Sequence, residues 1–156
     1  MLRQVEGSRA VAEAVAELGD TPGAADLRAF LEFAVQQSEM ELAAHYVTVF
    51  DLRNRRSLNL TWWSDGDTRR RGEVLGRFKT AYRRSGFLVD THGELPDYLP
   101  MVLEFAACAD AEAGAALLQE YRASIELLRI ALQERQSPYA AAATGVCATL
   151  PGESPA

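Results

Sequence analysis

The sequence predicts an all-α fold, a single-domain bundle of about six or seven helices. Three observations carry that expectation. Alanine, Leu, Glu and Arg are abundant while β-branched residues are sparse, and the abundant ones lose little side-chain entropy in a helix. Apolar residues recur at spacings of three and four along most of the chain. Between those stretches stand Gly, Pro, Ser and Asp in positions that start or stop helices. With 156 residues, 48% hydrophobic and 24% charged, the chain has the composition of an ordinary globular protein, large enough to bury a core without metal or disulfide support.

The first helix is expected from about Ser8 to Leu18, where Val11, Ala14, Val15 and Leu18 share a stripe. Asp20, Thr21, Pro22 and Gly23 break it, and a second begins near Ala24 with Leu27, Phe30, Leu31 and Ala34 inward. Ser38 with Glu41 three residues on is a capping box, opening a third helix that faces Leu42, Tyr46, Val49 and Phe50 inward. Periodicity fails from Asp51 to Gly66. Arg53 to Arg56 reads as a basic turn, Ser57 to Trp63 as an irregular stretch or short strand, and Trp62–Trp63 as a plug between helices. Asp67 or Thr68 caps the next helix, which holds Val74, Leu75, Phe78, Ala81 and Tyr82 inward and stops at Gly86.

Residues Leu88 to Tyr98 form a loop, after which Asp97 as cap and Pro100 in the first turn start a helix burying Leu99, Val102, Leu103 and Phe105. One long helix, about Ala111 to Gln136, carries Leu117, Leu118, Tyr121, Ile125, Leu128 and Leu132. Ser137 and Pro138 end it, and a last helix reaches about Thr149. Residues 1–150 form the helical domain, and 151–156 a frayed tail.

A formal charge of −6 and a pI near 5.0 argue against a nucleic-acid partner and suit a cationic one, such as a basic peptide. No apolar run approaches the roughly 20 residues that cross a bilayer, and no secretory h-region follows Met1, so membrane insertion and classical export are not expected. Cys108 and Cys147 lie outside any CxxC spacing and read as reduced thiols in a cytoplasmic setting.

No nucleophile, phosphate-loop, zinc-protease or dinucleotide motif is present, so no catalytic residue, metal or cofactor is expected. A competing reading makes the chain a helical small-molecule or metal-binding domain using His45, His92, Cys108 and Cys147, although no pair has ligand spacing. A third, DNA binding, rests only on Arg69 to Arg71. Two clusters remain. Asp65, Asp67 and Arg69 to Arg71 surround a helix start, where arginines oppose the helix dipole. In Glu94-Leu95-Pro96-Asp97-Tyr98-Leu99-Pro100, two prolines stiffen an acidic, aromatic edge that could receive an arginine-bearing peptide; the same phrase also reads as a well-made interhelical turn.

Three stretches resemble the nitrate reductase molybdenum-cofactor assembly chaperones, the nitrate reductase delta subunit family: HYVTVFDLRNRRSLNLTWWSDGDTRRRGEVLGRFKTAYRRSGF from His45 to Phe87, GELPDYLPMVLEFAA from Gly93 to Ala107, and LLRIALQERQSPYAAAATGVCATLP from Leu127 to Pro151. The resemblance implies an all-α bundle without catalysis of its own. Its partner would be the cytoplasmic catalytic subunit of a nitrate reductase, held by its N-terminal peptide until the molybdenum cofactor is inserted and kept from docking early on the membrane. The family's loop reads PDH, whereas Tyr98 stands at the histidine position here, and the Leu-rich opening helix with a YPD-like turn is not found before Asp20. The expected peptide-binding residues are Phe50, Asp51, Trp62, Asp65, Asp67, Arg69, Glu94, Asp97, Tyr98 and Glu104, on a chain expected to be a monomer or homodimer.

Overall fold

Helix-start and helix-stop chemistry accounts for most boundaries in the computed structural model, which describes residues 2–51, 57–66, 68–87 and 93–154. The all-α expectation is met: among the described residues there are nine α-helices, one π turn and no strand, rather than six or seven helices. The helices are α1 (Leu2–Glu17), α2 (Ala24–Val35), α3 (Glu39–Tyr46), α4 (Leu60–Asp65), α5 (Arg69–Arg84), α6 (Leu99–Cys108), α7 (Ala111–Glu120), α8 (Arg122–Gln133) and α9 (Tyr139–Ala148). The chain divides into two compact units, the first Met1–Arg53 with Arg129–Ala156 and the second Asn54–Leu128.

In the first unit, Ser38 and Glu41 form the full capping box at the start of α3, the Glu41 backbone N–H donating to Ser38 Oγ and the Ser38 backbone N–H to Glu41 Oε2 at 2.7 Å. The Ser38 backbone N–H, and then its hydroxyl at 2.8 Å, donate to the Glu41 carboxylate and hold it below its ordinary range. The Thr48 hydroxyl takes the Ala44 carbonyl at 2.8 Å, and the chain widens into the π turn Val47–Asp51. Helices α2 and α9 pack closely because two glycines face each other. A Cβ on Gly23 would sit 2.6 Å from the Gly145 carbonyl oxygen, and one on Gly145 would sit 2.8 Å from the Leu27 side chain. The buried set is small: Ala24, Val49, Leu132, Ala143, Cys147 and Leu150.

The second unit has a larger core of Leu60, Phe78, Tyr82, Leu99, Val102, Phe105, Leu117, Leu118, Tyr121 and Ile125. Ring pairs Phe78–Tyr121 at 5.1 Å and Tyr82–Phe105 at 4.8 Å join α5 to the later helices. Gly86, at φ 68°, ends α5 as expected, with the Phe87 N–H returning to the Tyr82 carbonyl.

Three expectations are corrected. The long helix from Ala111 to Gln136 is two helices, broken at Tyr121 (φ −99°, ψ 18°), whose ring turns in against Phe78. The irregular stretch before Gly66 holds a short helix, α4, and its strand character is limited to one antiparallel bridge, Asn59 with Tyr98. Asp97 does not cap α6: Tyr98 occupies that position without a side-chain bond. The cap expected at Asp67 and the basic turn at Arg53 to Arg56 lie outside the described residues, and Thr68 stands at the N-cap of α5 without a side-chain bond.

Candidate functional site

Asp97 is freed from α6 because it serves α4 instead. The backbones of the two phrases run past each other, Leu60 N–H donating to the Asp97 carbonyl at 3.1 Å and Leu99 N–H to the Leu58 carbonyl at 2.8 Å. This brings the Asp97 carboxylate onto the first turn of α4, where Oδ2 accepts from the Thr61 N–H at 2.9 Å and the Thr61 hydroxyl at 2.6 Å, while Oδ1 accepts from Asn59 Nδ2 at 3.0 Å. An acid at this helix end satisfies an orphan N–H and suits the dipole. Arg71 closes the network, its Nε donating to Thr61 Oγ1 at 2.9 Å and Nη2 lying 3.9 Å from Asp97 Oδ2. Its guanidinium carbon stands 5.7 Å from the centre of the Trp62 ring.

The neighbouring Tyr82 hydroxyl donates to the Pro96 carbonyl at 2.5 Å, pinning the loop from its other side. Burial, and then the Asp97 charge, hold the Tyr82 phenol protonated well above its ordinary range.

The expected site residues divide accordingly. Asp97 has no exposed surface, and both of its oxygens are engaged within the fold, so it is a structural acid and not an accessible contact for a ligand. Trp62 and Tyr98 are half-buried beside it, while Glu94 and its neighbour Leu95 are exposed. Asp65 is half-buried, accepting from the Ser64 hydroxyl and paired with Arg70 at 3.6 Å. Arg69 opens α5 and Glu104 lies on α6, both exposed. Asp67 lies outside the described residues.

Phe50 and Asp51 belong to the first unit, where Phe50 joins a set of part-exposed rings centred on Tyr139. Tyr139 lies 4.9 Å from Phe50, 5.1 Å from Phe30 and 5.4 Å from the stacked imidazole of His45, and Phe33 closes on His45 at 5.4 Å. Burial raises the Tyr139 phenol above its ordinary range. Sequence reasoning placed Phe30 and Tyr46 on core stripes but missed this convergence and the roles of Asn59, Thr61 and Arg71. The available signal for these last three was their place inside the distinctive His45–Phe87 stretch.

Of the four residues in the metal-binding reading, Cys147 is fully buried in the first unit, Cys108 is exposed in the second, and His92 lies outside the described residues. Among the described residues no group of three or more His, Cys, Asp or Glu is placed to hold a metal.

The family model described as the nitrate reductase delta subunit matches residues 16–144. The chain belongs to the nitrate reductase delta subunit family. That match spans both units of this delta subunit family member and contains the whole Asp97 network. The chain is 49% identical over 107 residues to the nitrate reductase-like protein NarX of Mycobacterium tuberculosis, an alignment covering 69% of the chain and 16% of NarX. It is 36% identical over 126 residues to the probable nitrate reductase molybdenum cofactor assembly chaperone NarJ of Bacillus subtilis, covering 81% of the chain and 68% of that protein. It is 30% identical over 111 residues to the assembly chaperone NarJ of Escherichia coli K12, covering 71% of the chain and 47% of that protein. The chain thus spans 16% of the length of NarX and about half that of the Escherichia coli relative.

Proposed function

We propose that this chain is a chaperone for assembly of a molybdenum-containing nitrate reductase. It binds the N-terminal segment of the catalytic subunit in the cytoplasm and holds that subunit while cofactor is inserted, before membrane docking. The role needs no catalytic group of its own. Two relatives named as assembly chaperones support the general role. The observation that carries the peptide-binding part is the Asp97 junction. It fixes the Pro96–Leu99 loop against α4 and leaves Glu94, Leu95, Tyr98 and Trp62 as an accessible acidic and apolar edge on a rigid base. A preformed edge loses little entropy when an amphipathic helix docks on it.

Calorimetric titration with the N-terminal peptide of the catalytic subunit from the same organism tests the reading. Glu94→Lys and Tyr98→Ala are expected to weaken binding about tenfold, close to 1.4 kcal/mol each, with the thermal midpoint unchanged in the first and the parent's helical circular dichroism kept in the second. No heat at high peptide excess would sink the proposal.

A further inference from the structure

Helix α5 concentrates charge against the trend of the chain. Its 16 residues hold seven of the chain's 16 Lys and Arg, and one acid, Glu73, in a protein with a net charge of −6. At about 100° per residue, Phe78, Tyr82, Val74 and Arg71 occupy one side. The opposite, solvent-facing side carries Arg69, Arg70, Arg77, Lys79, Arg83 and Arg84, with Glu73 as the one acid among them, all exposed. Arg70 and Arg77 are engaged by Asp65 and Glu120, whereas Arg69, Lys79, Arg83 and Arg84 make no ion pair among the described residues. No acid lies in the first turn, so three arginines stand against the helix dipole there, and of these only Arg71 is used by the core.

The same face also has a shape. Gly72, Gly76 and Thr80 recur every fourth residue between the cations, and a Cβ added at either glycine would meet nothing within 4 Å. Glycine inside a helix weakens it relative to alanine. Among the described residues nothing uses the space that these two leave, and packing there does not account for them.

The geometry points to this face of α5 as a docking surface for an acidic helical segment of a partner protein. The shallow track along Gly72, Gly76 and Thr80 admits a helix backbone closely, as small residues at this spacing do where helices cross. Arginines on either side then meet carboxylates with forked donors. A DNA duplex or an anionic bilayer offers the same charge sign, but either is an extended array of anions that a chain of net charge −6 repels. A single acidic helix meets α5 alone. The surface is separate from the edge around Glu94 and does not depend on the peptide-binding reading.

Fluorescence anisotropy at low salt tests it with three probes: a labelled helical Ala/Glu peptide, a DNA duplex, and phosphatidylglycerol vesicles followed by co-sedimentation. The Ala/Glu peptide is expected to bind, to dissociate as salt rises, and to lose at least tenfold in affinity in the triple variant Lys79→Glu, Arg83→Glu, Arg84→Glu. The double variant Gly72→Ala, Gly76→Ala is expected to melt at a higher temperature yet bind the peptide several-fold more weakly, a split that a purely structural role for the glycines would not produce. The proposal is overturned if the peptide does not bind, if charge reversal leaves its affinity unchanged in a variant with the parent's helical circular dichroism, or if duplex or vesicles bind in preference to it.

Discussion

Asp97 shows how a residue can be chosen correctly from sequence and given the wrong role. Its phrase, between two prolines, marks a special turn, and Asp ahead of an apolar helix reads as that helix's cap. The structure spends the carboxylate on Thr61 and Asn59, 36 and 38 positions earlier, a partnership no local pattern encodes. Because Asp97 is wholly buried, removing it leaves two N–H donors and a hydroxyl without their acceptor and Arg71 without its counter-charge. Asp97→Ala is expected to cost on the order of 3–5 kcal/mol in urea unfolding, whereas Glu94→Ala, on exposed surface, is expected to stay within about 0.5 kcal/mol. Equal costs would show that the network does not bear on stability. Tyr82 gives a pH signature of the same region. Its phenol keeps its proton above the ordinary value of 10.0 when folded, so the unfolded chain loses that proton first. Stability from this group is therefore complete below about pH 10 and declines as pH climbs beyond it. Tyr82→Phe is expected to cost about 1–2 kcal/mol at neutral pH through the unsatisfied Pro96 carbonyl and to flatten the alkaline limb of a stability–pH curve. An unchanged alkaline limb would exclude Tyr82 as its source.

At the scale of elements, what was legible followed local chemistry and what was hidden followed packing. The Ser38–Glu41 box, the Gly86 stop and the Ser137–Pro138 boundary can each be read from a few neighbouring residues, and each is found. The break at Tyr121 and the π turn cannot, since one depends on a ring drawn towards Phe78 and the other on a hydroxyl competing for a carbonyl. Gly114 reads as an ordinary weak point in a helix, yet a Cβ there would lie 2.3 Å from the Ala106 Cα, so α6 and α7 meet backbone to backbone. Gly114→Ala is expected to destabilise by about 1–3 kcal/mol despite alanine's better helix propensity. Gln136 is the converse case, a non-glycine residue at φ 51° ending α8. Gln136→Gly is expected to raise stability by up to about 1 kcal/mol by relieving the left-handed strain. Thermal unfolding of the two variants reads both signs. A stabilising Gly114→Ala would mean the helix pair separates at little cost.

Across the whole molecule the charge is unevenly shared, a fact that the net value of −6 conceals. The first unit holds eleven Asp or Glu against six Lys or Arg, and the second eleven against ten, so nearly all the excess negative charge belongs to the first. Within it, residues 24–51 carry Asp26, Glu32, Glu39, Glu41 and Asp51 against Arg28 alone, and Arg28 donates to the Gly19 carbonyl. The same stretch supplies the half-open rings of Phe30, Phe33, His45 and Phe50 and the exposed side chains of Val35, Met40 and Val47. Overall acidity in the sequence suggested a cationic client, but its concentration beside aromatic surface became visible only once α9 was seen to bring Tyr139 to that set. A basic amphipathic client that meets acid and aromatic surface together would lose its Coulombic share as salt rises and keep its apolar share. Raising ionic strength from about 0.05 to 0.5 M shortens the Debye length from roughly 14 to 4 Å. Over that range the Kd for the catalytic-subunit peptide is expected to rise about tenfold without binding being abolished. Glu32→Lys with Glu39→Lys, both on exposed surface, should remove most of that salt dependence, while Phe50→Ala should weaken binding at both salt concentrations alike. A Kd indifferent to salt would show that charge has no share in binding, and one indifferent to these three substitutions would place the peptide away from the first unit.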